Sequence, residues 1–185
     1  MALPVNDLYT VEDIYNLPDG ERAELIDGQI FYMSPPSVTH QRISMYLSSC
    51  ISRYIEEHNG ICEVFAAPFA VFLSDDNRTY VEPDISVICD PDKLDDRGCK
   101  GAPDWVIEIL SPGSKRMDYV TKLFKYQTAG VREYWIVDPF RNRIVVWNLE
   151  QSSQQSDIME MYTFTDRIKS GIYEDLYIDF GQMKV

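Results

Sequence analysis

Two acids carry the chemistry this chain offers. Asp84 lies in Val81-Glu82-Pro83-Asp84-Ile85-Ser86-Val87 and Glu108 in Trp105-Val106-Ile107-Glu108-Ile109-Leu110. Both runs are apolar and β-branched, as buried strands are. A carboxylate inside a buried strand is costly unless a charge compensates it, and two on neighbouring strands are most economically explained by a shared divalent cation. Mg²⁺ prefers hard oxygen ligands and keeps water and phosphate oxygens in its shell. Asp84, Glu108 and the backbone carbonyl of Ile109 form a candidate ligand set on that reading. The plainer alternative has Asp84 capping a turn and Glu108 pairing with an arginine.

The segment after the second acid adds a cation. Asp118, Lys122 and Tyr126 recur at i, i+4 and i+8 and so share one helix face. From a helix packed beside the Glu108 strand, Lys122 can project toward a metal that orients water and stabilises a phosphorane-like transition state. The competing reading is a surface Asp118–Lys122 pair, worth about 0.2–0.5 kcal/mol. Glu24, beside Asp27-Gly28, is either a third acid or a solvated strand position. His40 opens a helix, where a lone histidine more often caps or meets solvent than ligates or carries a proton.

The elements that must position these groups follow from the pattern. Thr10 with Asp13 predicts a helix start of capping-box type, stopped by Leu17-Pro18-Asp19-Gly20. Arg22 to Met33 reads as a hairpin turning at Asp27-Gly28. Ile43, Leu47, Ile51 and Tyr54 give one apolar stripe to a helix over 39–58, ended by Asn59-Gly60. Strands are expected over 61–65, 69–73, 81–89 and 105–110, with 90–103 as a surface loop. A helix over 115–129 closes at Gly130. A hairpin pairs 132–137 with 143–149, the polar stretch 151–156 is a solvated loop, and final strands cover 158–164 and 176–180. Pro83 has no N–H to give a ladder and suits an edge or bulge. The order implies an α/β or α+β sandwich, a mixed sheet flanked by helices.

Bulk properties narrow the class. The chain has 185 residues, 45% hydrophobic and 25% charged, which is globular usage and predicts a single domain over 1–185. No apolar run spans a membrane and no basic-then-apolar leader opens the chain, so a cytoplasmic protein is expected. Cys50, Cys62, Cys89 and Cys99 include no CxxC pair, and with two histidines they read as free thiols in a reducing compartment. The net charge of −13 argues against a protein that coats nucleic acid. It leaves room for a local basic groove, and Lys115, Arg116, Lys122 and Lys125 cluster after the second acid.

Taken in order, these residues resemble a known family. The signature is Glu24-Leu25-Ile26-Asp27-Gly28, Met33-Ser34-Pro35-Pro36 with His40, Pro83-Asp84, and Glu108-Ile109-Leu110-Ser111-Pro112. Asp118 with Lys122 and Tyr126 follows, then Ala129-Gly130-Val131 and Glu133-Tyr134-Trp135-Ile136-Val137-Asp138-Pro139. From about Tyr9 to about Leu149 the chain is similar to the "Uma-two" family of restriction-endonuclease-like proteins, in the PD-(D/E)XK nuclease superfamily. The resemblance implies a restriction-endonuclease-like core, a mixed β-sheet flanked by helices, with a metal site at the sheet's open edge. It makes Asp84 the motif aspartate, Glu108 the motif acid and Glu24 the assisting N-terminal acid. The superfamily's lysine two residues after the acid is replaced here by Leu110; the family's relocated lysine on the following helix corresponds to Lys122.

Three functions compete. The first is a Mg²⁺- or Mn²⁺-dependent endonuclease cleaving DNA, with Asp84, Glu108, Lys122 and Glu24 as its machinery. The second is a nuclease-fold module that binds or assembles without cutting. The third is a glycosidase using Asp84 and Glu108 as acid and base. Tyr126, Tyr134, Trp135 and Trp147 fall in the second half of the sheet, mostly as core, with some free to face a partner; a homodimer would suit cleavage of two strands.

Overall fold

The computed structural model describes residues 8–112, 117–150 and 158–184. Its centre is a six-stranded mixed sheet in the order β12-β11-β10-β9-β6-β3. The strands are β3 (Glu63–Ala66), β6 (Ile85–Ile88), β9 (Trp105–Ile109), β10 (Glu133–Asp138), β11 (Arg143–Asn148) and β12 (Ile158–Tyr162). β9 and β10 run parallel and every residue of both is buried, which is why they read as unbroken apolar runs rather than alternating ones.

Each face of that sheet meets a different partner. Trp105, Ile107, Ile109, Trp135 and Val137 point to one side, where the twenty-residue helix α2 (Val38–Glu57) lays Ile43, Leu47, Ile51 and Ile55 against them. Trp105 and Trp135 stack edge-on there, 4.9 Å between ring centroids. Val106, Leu110, Tyr134 and Ile136 point to the other side, against Tyr126 and a second sheet. That sheet runs β2-β1-β5-β4-β8-β7, comprising β1 (Ala23–Ile26), β2 (Gln29–Tyr32), β4 (Val71–Phe72), β5 (Tyr80–Val81), β7 (Leu94–Asp95) and β8 (Gly98–Lys100). A hairpin of β13 (Arg167–Lys169) and β14 (Tyr177–Asp179) adds Ile168 and Ile178 to the α2 side.

Local chemistry matches the sequence expectation at several ends. α1 (Val11–Tyr15) starts where Asp13 accepts from the Thr10 N–H at 2.7 Å and the Thr10 hydroxyl at 3.0 Å. The β1–β2 turn places Asp27 and Gly28 at φ 52° and 75°, the paired left-handed residues of a tight hairpin turn. A Cβ on Gly28 would also come within 2.9 Å of the Leu8 side chain.

Four expectations change. The run 81–89 is two strands, not one: the chain leaves the second sheet after Val81, crosses at Glu82-Pro83-Asp84 and enters the central sheet at Ile85. The segment 90–103 is not an open loop, because it holds a short 3₁₀ turn over Pro91–Lys93 and the β7–β8 pair. The helix after Glu108 is a π-helix over Met117–Lys122 that becomes α-helical as α3 (Leu123–Ala129). Its expected start at Lys115 and Arg116 lies outside the described residues, as does the loop 151–156. The fourth concerns the cysteines: Glu63 pairs with Ile88, so Cys62 faces Cys89 one step on, and the two form a disulfide while Cys50 and Cys99 stay free. Among the described residues no helix is long and apolar enough to cross a membrane.

Candidate active site

The crossover at Glu82-Pro83-Asp84 carries the chain from one sheet to the other, and the acids gather at that junction. β6 and β9 are antiparallel with Ile85 opposite Ile107, so the register carries Asp84 to a place opposite Glu108. Glu24 arrives from the middle of β1 in the other sheet, 5% exposed; Glu108 is 4% exposed and Asp118 2%. Glu108 faces the side of the sheet that α3 covers, as its alternation with Ile107 and Ile109 requires.

Lys122 joins the two sheets. Its Nζ donates to Glu24 Oε1 at 2.9 Å and to Glu108 Oε1 at 2.8 Å, and lies 2.8 Å from Glu24 Oε2 and 3.7 Å from Asp118 Oδ1. Tyr126, fully buried, donates its hydroxyl to the same Glu108 oxygen at 2.7 Å. One oxygen of Glu108 is therefore fixed by two donors from one helix face. The Tyr134 hydroxyl donates to the Asp118 carbonyl at 3.1 Å and ties the π-helical turn to β10. π-turns recur at functional sites, and here the turn carries Asp118 and Lys122 inward together. The reading of Asp118–Lys122 as a surface pair is excluded by their burial, and Glu108 pairs with a lysine and a tyrosine rather than an arginine.

Asp84 sits beside this group on a different set of partners. Its Oδ2 accepts the Ile109 N–H at 2.7 Å and lies 3.1 Å from His40 Nε2. His40 is on the first turn of α2, where Ser37 caps the helix by accepting the His40 N–H at 3.2 Å. Neither a capping nor a solvated role describes the imidazole, which is held against Asp84. Leu110 is 1% exposed and belongs to the apolar core, so no cation stands two residues after Glu108. Tyr126, Tyr134 and Trp135, some of which were candidates for a partner-facing surface, are fully buried; Trp147 is half-buried.

The electrostatics show an excess of negative charge. Burial raises the Glu108 carboxyl well above the usual range; Lys122 opposes that, while Asp118, Asp84 and Glu24 add to it. Burial pulls Lys122 down, but Glu108, Glu24 and Asp118 outweigh it and hold the ammonium charged. His40 follows the same pattern: burial lowers it, while the hydrogen bond and charge of Asp84 and the Ile109 backbone raise it further. Four carboxylates thus face one lysine and one histidine. A further buried acid nearby, Glu82, is satisfied separately by Arg22 and by the Tyr80 hydroxyl at 2.6 Å, and its N–H donates to Glu24.

The donor set fits a hard divalent cation. Asp84, Glu108 and the Ile109 carbonyl supply oxygen only, and the uncompensated charge is what such an ion would neutralise. Among the described residues no group of three or more His, Cys, Asp or Glu side chains is arranged to hold a metal ion, so an ion on Asp84 and Glu108 would take the rest of its shell from water and substrate oxygens.

Sequence reasoning named Glu24, Asp84, Glu108 and Lys122, and the structure brings Glu24, Glu108 and Lys122 into direct contact with Asp84 alongside. It missed that His40 holds Asp84 and that Tyr126 holds Glu108. The shared face of Lys122 and Tyr126 was the available signal for the second; for the first there was none, because α2 and the crossover are distant in the chain.

Comparison with known proteins agrees in family and in fold. The family model described as "Uma2: Putative restriction endonuclease" matches residues 11–172. An uncharacterized protein of Synechocystis sp. is 32% identical over 98 residues, 53% of this chain and 50% of its own length. Another from the same organism is 26% identical over 127 residues, 67% of this chain and 70% of its own. The chain spans half the length of the first of these relatives. A crystal structure of "a putative nuclease belonging to DUF820" from Anabaena variabilis aligns over 97% of each chain, with a TM-score of 0.74 and 21% identity; it shares the fold.

Proposed function

This chain belongs to the Uma2 (Uma-two) family, and from that membership we propose that it is a divalent-metal-dependent endonuclease hydrolysing DNA phosphodiester bonds. The observation that carries the reading is the junction of two sheets at which Glu24, Glu108 and Asp118 surround one lysine while Asp84 stands opposite Glu108. Asp84, Glu108 and the Ile109 carbonyl would hold Mg²⁺ or Mn²⁺, which supplies Lewis-acid polarisation of the scissile phosphate. The protein's own groups do the rest. Lys122, kept charged by its acids, offsets the negative charge that builds on the phosphoryl oxygens as water attacks phosphorus and the P–O bond to the leaving oxygen breaks. Glu24 fixes Lys122, Tyr126 fixes Glu108, and His40 fixes Asp84. As a pair of such chains, the enzyme would present one site to each strand.

The test is plasmid cleavage in Mg²⁺ or Mn²⁺ by the wild type and by Asp84→Asn, with circular dichroism to confirm folding. The expected result is cleavage abolished by EDTA and reduced about a hundredfold or more in the variant; equal activity in both would sink the proposal.

A second reading, a module that binds without cutting, is favoured by one feature. Lys122 already satisfies Glu24 and Glu108 without any metal. Calorimetric titration separates the two, since an absence of Mg²⁺ and Mn²⁺ uptake by the folded wild type selects the binding module.

A further inference from the structure

We infer that the groove between the start of α2 and the C-terminal segment takes a single strand of nucleic acid. The inference deepens the nuclease reading by naming the form of the bound strand, and the binding itself does not depend on cleavage. The groove encloses about 610 Å³, within the usual range of roughly 300–1,000 Å³ for ligand sites. Its apolar lining comes from Val38, Met45, Tyr46 and Met183, with Arg42 and Lys184 also lining it. Val38 is 68% and Met45 63% exposed, so these side chains form an open apolar floor. Tyr46 is fixed because its hydroxyl donates to the Asp179 carbonyl.

Charge decides the occupant. Among the described residues no acid lines this groove, in a chain with 30 acidic and 17 basic residues. Arg42 and Lys184 are exposed and make no ion pair among the described residues. The carboxylate behind the groove, Asp179, accepts from the Gly181 N–H and Gln182 Nε2. Two unengaged cations over an apolar floor match a strand whose phosphates meet the cations and whose base lies on the floor. A duplex keeps its bases stacked and cannot use that floor, which selects a single strand.

The groove and the site share α2. Val38, Arg42 and Met45 lie on its exposed flank, while His40, about half a turn round the helix from each of them, reaches Asp84 from the buried side.

The experiment measures fluorescence anisotropy of a labelled twelve-nucleotide DNA strand and a hairpin duplex. Ca²⁺ is present, and the chains are wild type, Arg42→Ala/Lys184→Ala and Met45→Ala. Plasmid cleavage in Mg²⁺ and sedimentation of the free proteins are run in parallel. The expected result is tighter binding of the single strand than of the duplex and about tenfold weaker single-strand binding by the double variant. Its salt slope should be shallower by about 1.4, the value for two lost phosphate contacts. Met45→Ala should weaken the single strand and leave the duplex unchanged. Unchanged single-strand binding by the double variant overturns the inference, and cleavage by the wild type then leaves the nuclease reading standing. A loss shared equally by strand and duplex overturns the single-strand assignment. Altered sedimentation with unaltered DNA binding overturns it in favour of a second copy of this chain. Groove-dependent strand binding without metal-dependent cleavage supports the groove and removes the nuclease reading.

Discussion

Lys122 is the residue on which the site depends, because one ammonium answers three carboxylates drawn from both sheets and its own helix. Removing one partner of a buried ion pair leaves the others desolvated and unpaired, at a cost of about 3–5 kcal/mol. Lys122→Met should therefore lower the unfolding free energy by about that amount in denaturant titration at neutral pH. Adding Glu24→Gln should recover part of it. A single variant as stable as the wild type would show that the acids around Lys122 do not depend on its charge. Spacing alone pointed to Lys122, since i, i+4 and i+8 survive the change from α to π geometry closely enough to keep Asp118, Lys122 and Tyr126 together. The pairing of His40 with Asp84 was not legible, because nothing local in 37–41 distinguishes a helix-opening histidine that caps from one that reaches a crossover 44 residues on.

Among the elements, β10 shows how a buried acid can serve structure rather than chemistry. Glu133 is 1% exposed, and its carboxylate accepts from Trp135 Nε1 at 2.6 Å, Ser170 Oγ at 3.0 Å, and the Gly171 and Ile172 N–H groups at 2.8 and 3.0 Å. It ties the loop between β13 and β14 to the central sheet. Burial raises its pKa, and the hydrogen bonds only partly oppose this. A raised carboxyl contributes stability that is complete below the ordinary glutamate range and is lost as pH rises through the folded-state value. Glu133→Gln, which turns an amide N–H₂ toward one of those donors, should therefore destabilise the protein more at pH 4.5 than at pH 7.5. Urea midpoints at the two pH values read the difference, and a cost that grows toward neutral pH would reverse the sign of the argument. The long elements α2, β9, β10 and β11 were legible because each buries a continuous or periodic apolar face. β4 was found within the strand expected over 69–73, but β7 and β8 were not, because strands of two and three residues carry no period. The split of 81–89 was half legible: Pro83 marked an interruption without saying that the chain changes sheets there.

At the scale of the whole molecule, the central sheet is a shared wall with α2 on one side and a smaller sheet on the other. The mixed sheet and its flanking helices follow from the order of elements. The smaller sheet does not, because its strands pair across long stretches of chain, β1 with β5 and β4 with β8. The excess of acids has a local meaning as well, since four of them converge at the meeting line of the two sheets. The Glu24–Lys122–Glu108 bridge crosses that line, and it makes β1 a remote gauge of events at Glu108. Whatever loosens the lysine's hold should be felt as breathing of one sheet against the other, with amide deuteration faster in Ala23–Ile26 while Leu47 and Ile51 in α2 stay protected. Mass-spectrometric exchange of Lys122→Met against the wild type reads this directly. Uniform exchange across both segments would show that the sheets move as one block, with the bridge merely riding on it.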